Sequence, residues 1–154
     1  MPWTPLPFGK HKGKTFPQII FSDPDWFFWA IEKKIFKGKF AEEATEISSK
    51  ARKIRIPTKR GEDLVAEYLI HTPTGKFGVM EIVPRSQPLH EGASPAYRLD
   101  VIDMSFPRQI AKYDKLGCNL LLSSVKFYLF GKPNYRMTRR VCDNYFDDDN
   151  NFLL

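Results

Sequence analysis

The sequence predicts an α+β fold: an N-terminal basic hairpin and two helices, then a three- to four-stranded antiparallel sheet packed on a C-terminal helix. Three observations predict it. Apolar residues recur at helical spacing between Trp26 and Ala51, the period drops to two from Lys53 to Met104, and helical spacing returns from Ile110 to Leu129. Helices and strands also fall in blocks with no internal repeat, unlike the alternation that builds parallel α/β sheets.

Taken in order, Pro2, Pro5 and Pro7 keep the first residues extended up to Phe8. The run Phe8-Gly9-Lys10-His11-Lys12-Gly13-Lys14-Thr15-Phe16 reads as a hairpin or paired turn, with Phe8 and Phe16 as apolar anchors. Gly9 and Gly13 permit positive φ and a close approach of backbone to a ligand. Ser22 or Asp23 with Pro24 marks a helix start, and Trp26, Trp29 and Ala30 share one face of that helix. Phe40, Ala44, Ile47 and Ala51 define a second helix over residues 40–51.

Lys53 to Pro57, Leu64 to Thr72, Phe77 to Val83 and Tyr97 to Met104 alternate as strands, with a turn at Pro73-Thr74-Gly75-Lys76 and a loop over 84–96. A meander is the simplest arrangement, with one face buried against a helix that opens at Ser105-Phe106-Pro107. That helix runs to Gly131, and Gly117-Cys118-Asn119 is a candidate break within it. The expected segments are a hairpin–helix module over 1–51, a sheet-plus-helix region over 52–146 and an acidic tail over 147–154.

Composition sets bounds on function. With 154 residues, 42% hydrophobic and 14% aromatic, the chain can bury a core and is not a disordered polymer. No apolar run approaches 18 residues, so no membrane partner is expected. Cys118 and Cys142 fit neither a metal site nor a disulfide framework and read as reduced thiols. Together with a start that lacks the regions of a signal peptide, they suggest a cytoplasmic protein. The net charge of +6 is uneven along the chain: residues 1–61 carry 13 Lys/Arg against 6 Asp/Glu, and residues 62–154 carry 11 against 12. Such an imbalance points to an anionic partner, or to a merely solubilising surface.

The loop sequence Phe8 to Lys14, followed by Asp23-Pro24-Asp25-Trp26 and Trp29, resembles the C-terminal module of exodeoxyribonuclease X and related exonucleases. It is also similar to a small bacterial family described as quorum-sensing-regulated virulence factors, whose basic-glycine turn before a helix is matched by Lys37-Gly38-Lys39-Phe40. The resemblance covers residues 6–45 and implies an accessory nucleic-acid-associated module without the nuclease active site. Those families often have tyrosine where this chain has His11, which keeps an aromatic face and adds a titratable group.

A non-catalytic nucleic-acid-binding accessory role is therefore expected, with no cofactor and no metal. Lys10, Lys12 and Lys14 would meet phosphates beside the amides of Gly9 and Gly13, and His11 would stack on a base. Arg52, Lys53, Arg55, Lys59 and Arg60 would extend the path. Backbone contacts carry no sequence information, so the expected partner is single-stranded or bound without sequence preference.

Two other classes stay open. A Mg-dependent nuclease would use Glu67, Glu81, Asp100 and Asp103 on strands, although Glu81 is followed two positions later by Val83 where a restriction-like core wants lysine. A protein-interaction or inhibitor module would use Tyr145 to Phe152, where acids and aromatics mix. His11, His71 and His90 show no zinc spacing, and Ser123-Ser124 lacks elbow glycines.

Overall fold

The computed structural model describes residues 3–58, 61–71, 76–89, 96–110 and 115–154. The elements are α1 (Phe16–Ile20), α2 (Pro24–Glu32), α3 (Lys39–Ala51), β1 (Ile54–Arg55), β2 (Leu64–His71), β3 (Lys76–Pro84), β4 (Ala96–Leu99), β5 (Val101–Ile102), α4 (Phe106–Ile110), α5 (Lys115–Phe130), α6 (Arg139–Asp147) and a closing 3₁₀ turn, Asp149–Asn151. The fold is α+β. Its strands form a three-stranded sheet in the order β3-β2-β4 and a two-stranded sheet of β1 and β5. The longer sheet is antiparallel throughout but is not a meander, because β2 lies between the two strands that follow it.

The chain divides into two compact units. The first joins Met1–Ile54 to Asp103–Arg108 and Arg136–Leu154; the second is Arg55–Ile102 with Gln109–Tyr135. In the second, α5 packs on β3, as the expected sheet-on-helix arrangement requires. Glu67 faces Glu81 across β3 and Arg98 across β4. Glu67 is buried, and the Arg98 guanidinium compensates it at 2.6 Å. The strand expected over 97–104 is interrupted at Asp100, which pairs with Arg85. The helix expected to break at Gly117-Cys118-Asn119 instead runs through those residues as part of α5.

The first unit is held by aromatics. Phe16, Phe27, Phe36, Phe146 and Phe152 are all buried, and Phe16 alone meets the rings of Phe27, Phe36 and Phe40. α1 is the hub, touching α2, α3 and α6. No sequence pattern announces it, because five residues with Phe16, Pro17, Ile19 and Ile20 all buried display no period. Its entrance is fixed by Gln18, whose side-chain oxygen accepts the Thr15 amide at 3.0 Å, while the Thr15 hydroxyl donates to Asp143 at 2.7 Å. Asp23 caps α2 and Pro24 begins it, as expected. The buried face of α2 is Phe27, Phe28 and Ala30; Trp26 and Trp29 are only half-buried.

The acidic end is structured. α6 follows Thr138, whose hydroxyl accepts the Val141 amide at 3.2 Å. Lys50, buried to 6% exposure, donates to the Phe146 carbonyl at 2.8 Å and pairs with Asp149 at 3.0 Å. Asp147 accepts the Trp3 indole N–H at 3.0 Å, and Phe152 bridges to Ile54. Residues 147–154 are therefore anchored through Asp147, Asp149 and the buried Phe152, while most of their other side chains are exposed. Truncating the buried Phe152 ring to alanine should cost about 3–5 kcal/mol, read as a large fall in the urea midpoint. A frayed terminus would leave the midpoint unchanged.

Candidate nucleic-acid interface

The loop between Leu6 and Thr15 contains no strands. The Leu6 amide donates to the Lys14 carbonyl at 3.0 Å and the Gly13 amide donates to the Leu6 carbonyl at 2.8 Å, closing the loop at its base. Inside it, the Lys12 amide donates to Gly9 at 3.2 Å and the Lys14 amide to His11 at 3.0 Å, giving successive turns. Gly9 and Gly13 have φ of +79° and +85°, the left-handed region that the turns demand. A Cβ on either would meet nothing within 4 Å, so glycine is required there by backbone angle and both sites are open to a ligand.

The middle of the loop is pinned from below. His11 is only 7% exposed; its Nε2 lies 3.0 Å from Asp23 Oδ2 and its ring stands edge-on to Trp26 at 4.9 Å. Asp23 also accepts the Trp26 amide at 3.3 Å, the capping bond of α2. Burial works to raise the Asp23 carboxyl, but hydrogen bonds from Lys10, His11 and the Trp26 amide outweigh it and hold the group below its ordinary 3.8.

This arrangement corrects three expectations. His11 is a buried clasp and offers no face to a base. Lys10 sits 3.0 Å from Asp23 and is already neutralised. Phe8 is not an anchor: it is 39% exposed, and the inner anchor at that end is Leu6. Lys12 and Lys14 are exposed, with no carboxylate partner among the described residues.

Of the second basic group, Arg52 and Lys53 lie in the same unit as the loop, at the C-terminal end of α3. Arg52 caps the end of α3, where its guanidinium lies 4.8 Å over Phe28 and donates to the Ser105 hydroxyl at 3.2 Å. Lys53 is exposed beside it, and its carbonyl accepts the Leu153 amide at 2.9 Å. α3 has 13 residues, so these two lie about 20 Å along the helix from its start at Lys39. Arg55 is exposed in the second unit, and Lys59 and Arg60 lie outside the described residues.

What borders the loop instead is the start of α3. Phe16, two residues after Lys14, lies 6.4 Å from Phe40 and 4.8 Å from Phe36, and Phe36 lies 6.0 Å from Trp26. One aromatic cluster thus seats both Gly13-Lys14 and Lys37-Gly38-Lys39. Gly38 also has positive φ, +58°, and Lys37 and Lys39 are exposed without a carboxylate partner among the described residues. A sequence signal for this pairing exists: Gly13-Lys14-Thr15-Phe16 and Gly38-Lys39-Phe40 share a glycine, a lysine and a phenylalanine in close order.

Charge along the chain is not charge in space. α6 and the closing 3₁₀ turn return Asp143, Asp147, Asp148 and Asp149 to the first unit, leaving it 14 Lys/Arg against 11 Asp/Glu, beside 10 against 7 in the second. The basic bias of residues 1–61 survives only as local patches.

Of the strand carboxylates, Glu67 and Glu81 are register partners on β2 and β3, and Glu81 is exposed. Glu67 is held by Arg98, Asp100 by Arg85, and Asp103 by the Ser105 amide at 2.8 Å and hydroxyl at 2.6 Å. Among the described residues no group of three His, Cys, Asp or Glu is arranged to hold a metal ion. The side chain of His71 and all of His90 lie outside what is described. Ser124 donates to its own helix at the Leu120 carbonyl, 3.1 Å away, and neither cysteine is in a disulfide. Among the described residues no helix is long and apolar enough to cross a membrane.

Because the folded Asp23 carboxyl is held below its ordinary value, its contribution is present above pH 3.8 and lost as pH falls toward the folded value. Asp23→Asn should flatten that acid limb of the stability curve and lower neutral-pH stability by about 1–3 kcal/mol, measured by urea melts across pH. A parallel acid limb in the variant would contradict the clasp. No family model matches the chain, and no curated protein or solved structure matches it significantly.

Proposed function

We propose that this protein is a non-catalytic nucleic-acid-binding accessory protein that grips the phosphate backbone of a single strand without sequence preference. The observation that carries the proposal is the pairing of a pinned loop with unpaired cations. His11 and Leu6 fix the loop from beneath, while Lys12 and Lys14 stand exposed and uncompensated on top. Lysines held on a rigid turn lose little freedom when they meet a phosphate, and open glycine backbone lets the strand come close.

Lys37 and Lys39 extend the grip through the shared aromatic cluster, in place of Arg52 and Lys53. Phe8, exposed next to Gly9, takes the stacking role expected of His11. The nuclease alternative is weakened because Glu67, Asp100 and Asp103 are engaged by Arg98, Arg85 and Ser105, which leaves Glu81. The inhibitor alternative is weakened because the acidic segment is folded against Lys50 and Trp3.

The test is a salt-dependent titration of single- and double-stranded oligonucleotides. Removing one lysine–phosphate pair should lower the slope of log affinity against log salt by about 0.7 for a single strand. Replacing Lys12, Lys14, Lys37 and Lys39 by alanine should therefore cut the slope by about 3 units with the thermal midpoint nearly unchanged. Lys10→Ala should change the slope little, since its charge is already met by Asp23. An unaltered slope after the fourfold change would remove the site.

A further inference from the structure

We infer that the groove between α2 and α3 seats one nucleobase of the bound strand; the inference rests on the nucleic-acid reading above. The groove is about 290 Å³ and is lined by Ile31, Lys34, Phe36, Ala41, Ala44 and Thr45. That is the small end of the range for ligand clefts, about 300–1,000 Å³, so it suits a single planar ring system and not a helix.

Its chemistry is that of an apolar slot with a cationic rim. No carboxylate lines it, and Lys34 does. Lys33 and Lys37, next in sequence to Lys34 and Phe36, are exposed without acidic partners among the described residues, and Glu42 and Glu46, next to Ala41 and Thr45, are exposed as well. A base carries its own phosphate on a short tether, which is what an apolar floor beside several ammonium groups would select. Polar groups are at hand for its edge. Thr45 donates its hydroxyl hydrogen to the Ala41 carbonyl at 2.9 Å, leaving lone pairs to accept from an exocyclic amine. Lys34 offers donors for a ring nitrogen or carbonyl.

Lys34 supplies an independent observation. It has φ of +55°, the one non-glycine residue in the left-handed region among those described. It follows the C-cap of α2, where glycine is the usual occupant. The chain therefore carries a strained lysine where glycine would relax it, and that lysine lines the groove.

The experiment compares a short labelled single strand with a matched strand containing abasic sites, by fluorescence polarisation on the intact chain. The native protein should favour the base-bearing strand by about tenfold. Ala41→Leu, which fills the groove from a half-buried position, should erase that preference, leaving abasic affinity and salt slope unchanged. Lys34→Gly should weaken the base-bearing strand more than the abasic one while raising the thermal midpoint. Equal binding of both strands, unaffected by Ala41→Leu, overturns the base slot and leaves the phosphate grip standing. Binding of neither strand overturns the grip, and the slot with it. An acidic aromatic peptide that saturates the groove and no longer binds Ala41→Leu, with no base preference, also overturns the proposal in favour of a protein partner.

Discussion

The Asp23 carboxylate is the constraint on which the candidate site depends. One oxygen caps α2 through the Trp26 amide, and the other meets both His11 and Lys10. The helix start and the loop are thereby fixed to each other. Ordering the six residues from Gly9 to Lys14 costs about 1–2 kcal/mol each in backbone entropy. No single contact meets that cost: a helix cap contributes about 1 kcal/mol and a hydrogen bond to a charged group about 1.5–3 kcal/mol. The loop is held because the Asp23 clasp, the two closing bonds to Leu6 and the burial of Leu6, His11 and Phe16 all act on the same short segment.

The same clasp sorts the cations. Lys10 is paired at the surface with Asp23, whereas Lys12 and Lys14 are exposed with no carboxylate partner among the described residues. A similar sorting recurs throughout the first unit. Lys50 serves the acidic end, Arg108 serves Asp25 and Glu32, and Arg139 serves Asp143. Of the cations left without a carboxylate partner among the described residues, Lys12, Lys14, Lys37 and Lys39 lie at two glycine turns joined by the rings around Phe16, and Lys33, Lys34, Lys53, Arg136 and Arg140 lie outside those turns. A net charge on a sequence conveys little about a surface until these internal pairs are subtracted.

Local chemistry was legible in the sequence where a residue type has one physical use. Glycines flanking a basic run implied positive φ at Gly9 and Gly13, and Asp23-Pro24 implied a capped helix start. The long periodic segments α3, β2 and β3 were legible for the same reason. Long-range pairing was not. Nothing local indicates that Asp23 reaches back to His11, that β2 sits between β3 and β4, or that Lys50 waits for residues 146–149. The acidic terminus looked solvated because three aspartates and two asparagines run consecutively from Asp147 to Asn151, yet Phe146 and Phe152 on either side are buried in the core. Both His11 and Phe8 fit an exposed or a buried role by type, and only packing against Trp26 separates them.

The most direct test of the pinned-loop grip is an amide chemical-shift map of the protein titrated with a short single strand. Shifts should cluster at residues 8–14 and 37–41, two stretches distant in sequence, with Arg52 and Lys53 silent and the His11 ring resonances still those of a buried clasp. Shifts confined to residues 52–60, or a His11 ring released into solvent by the strand, would contradict it.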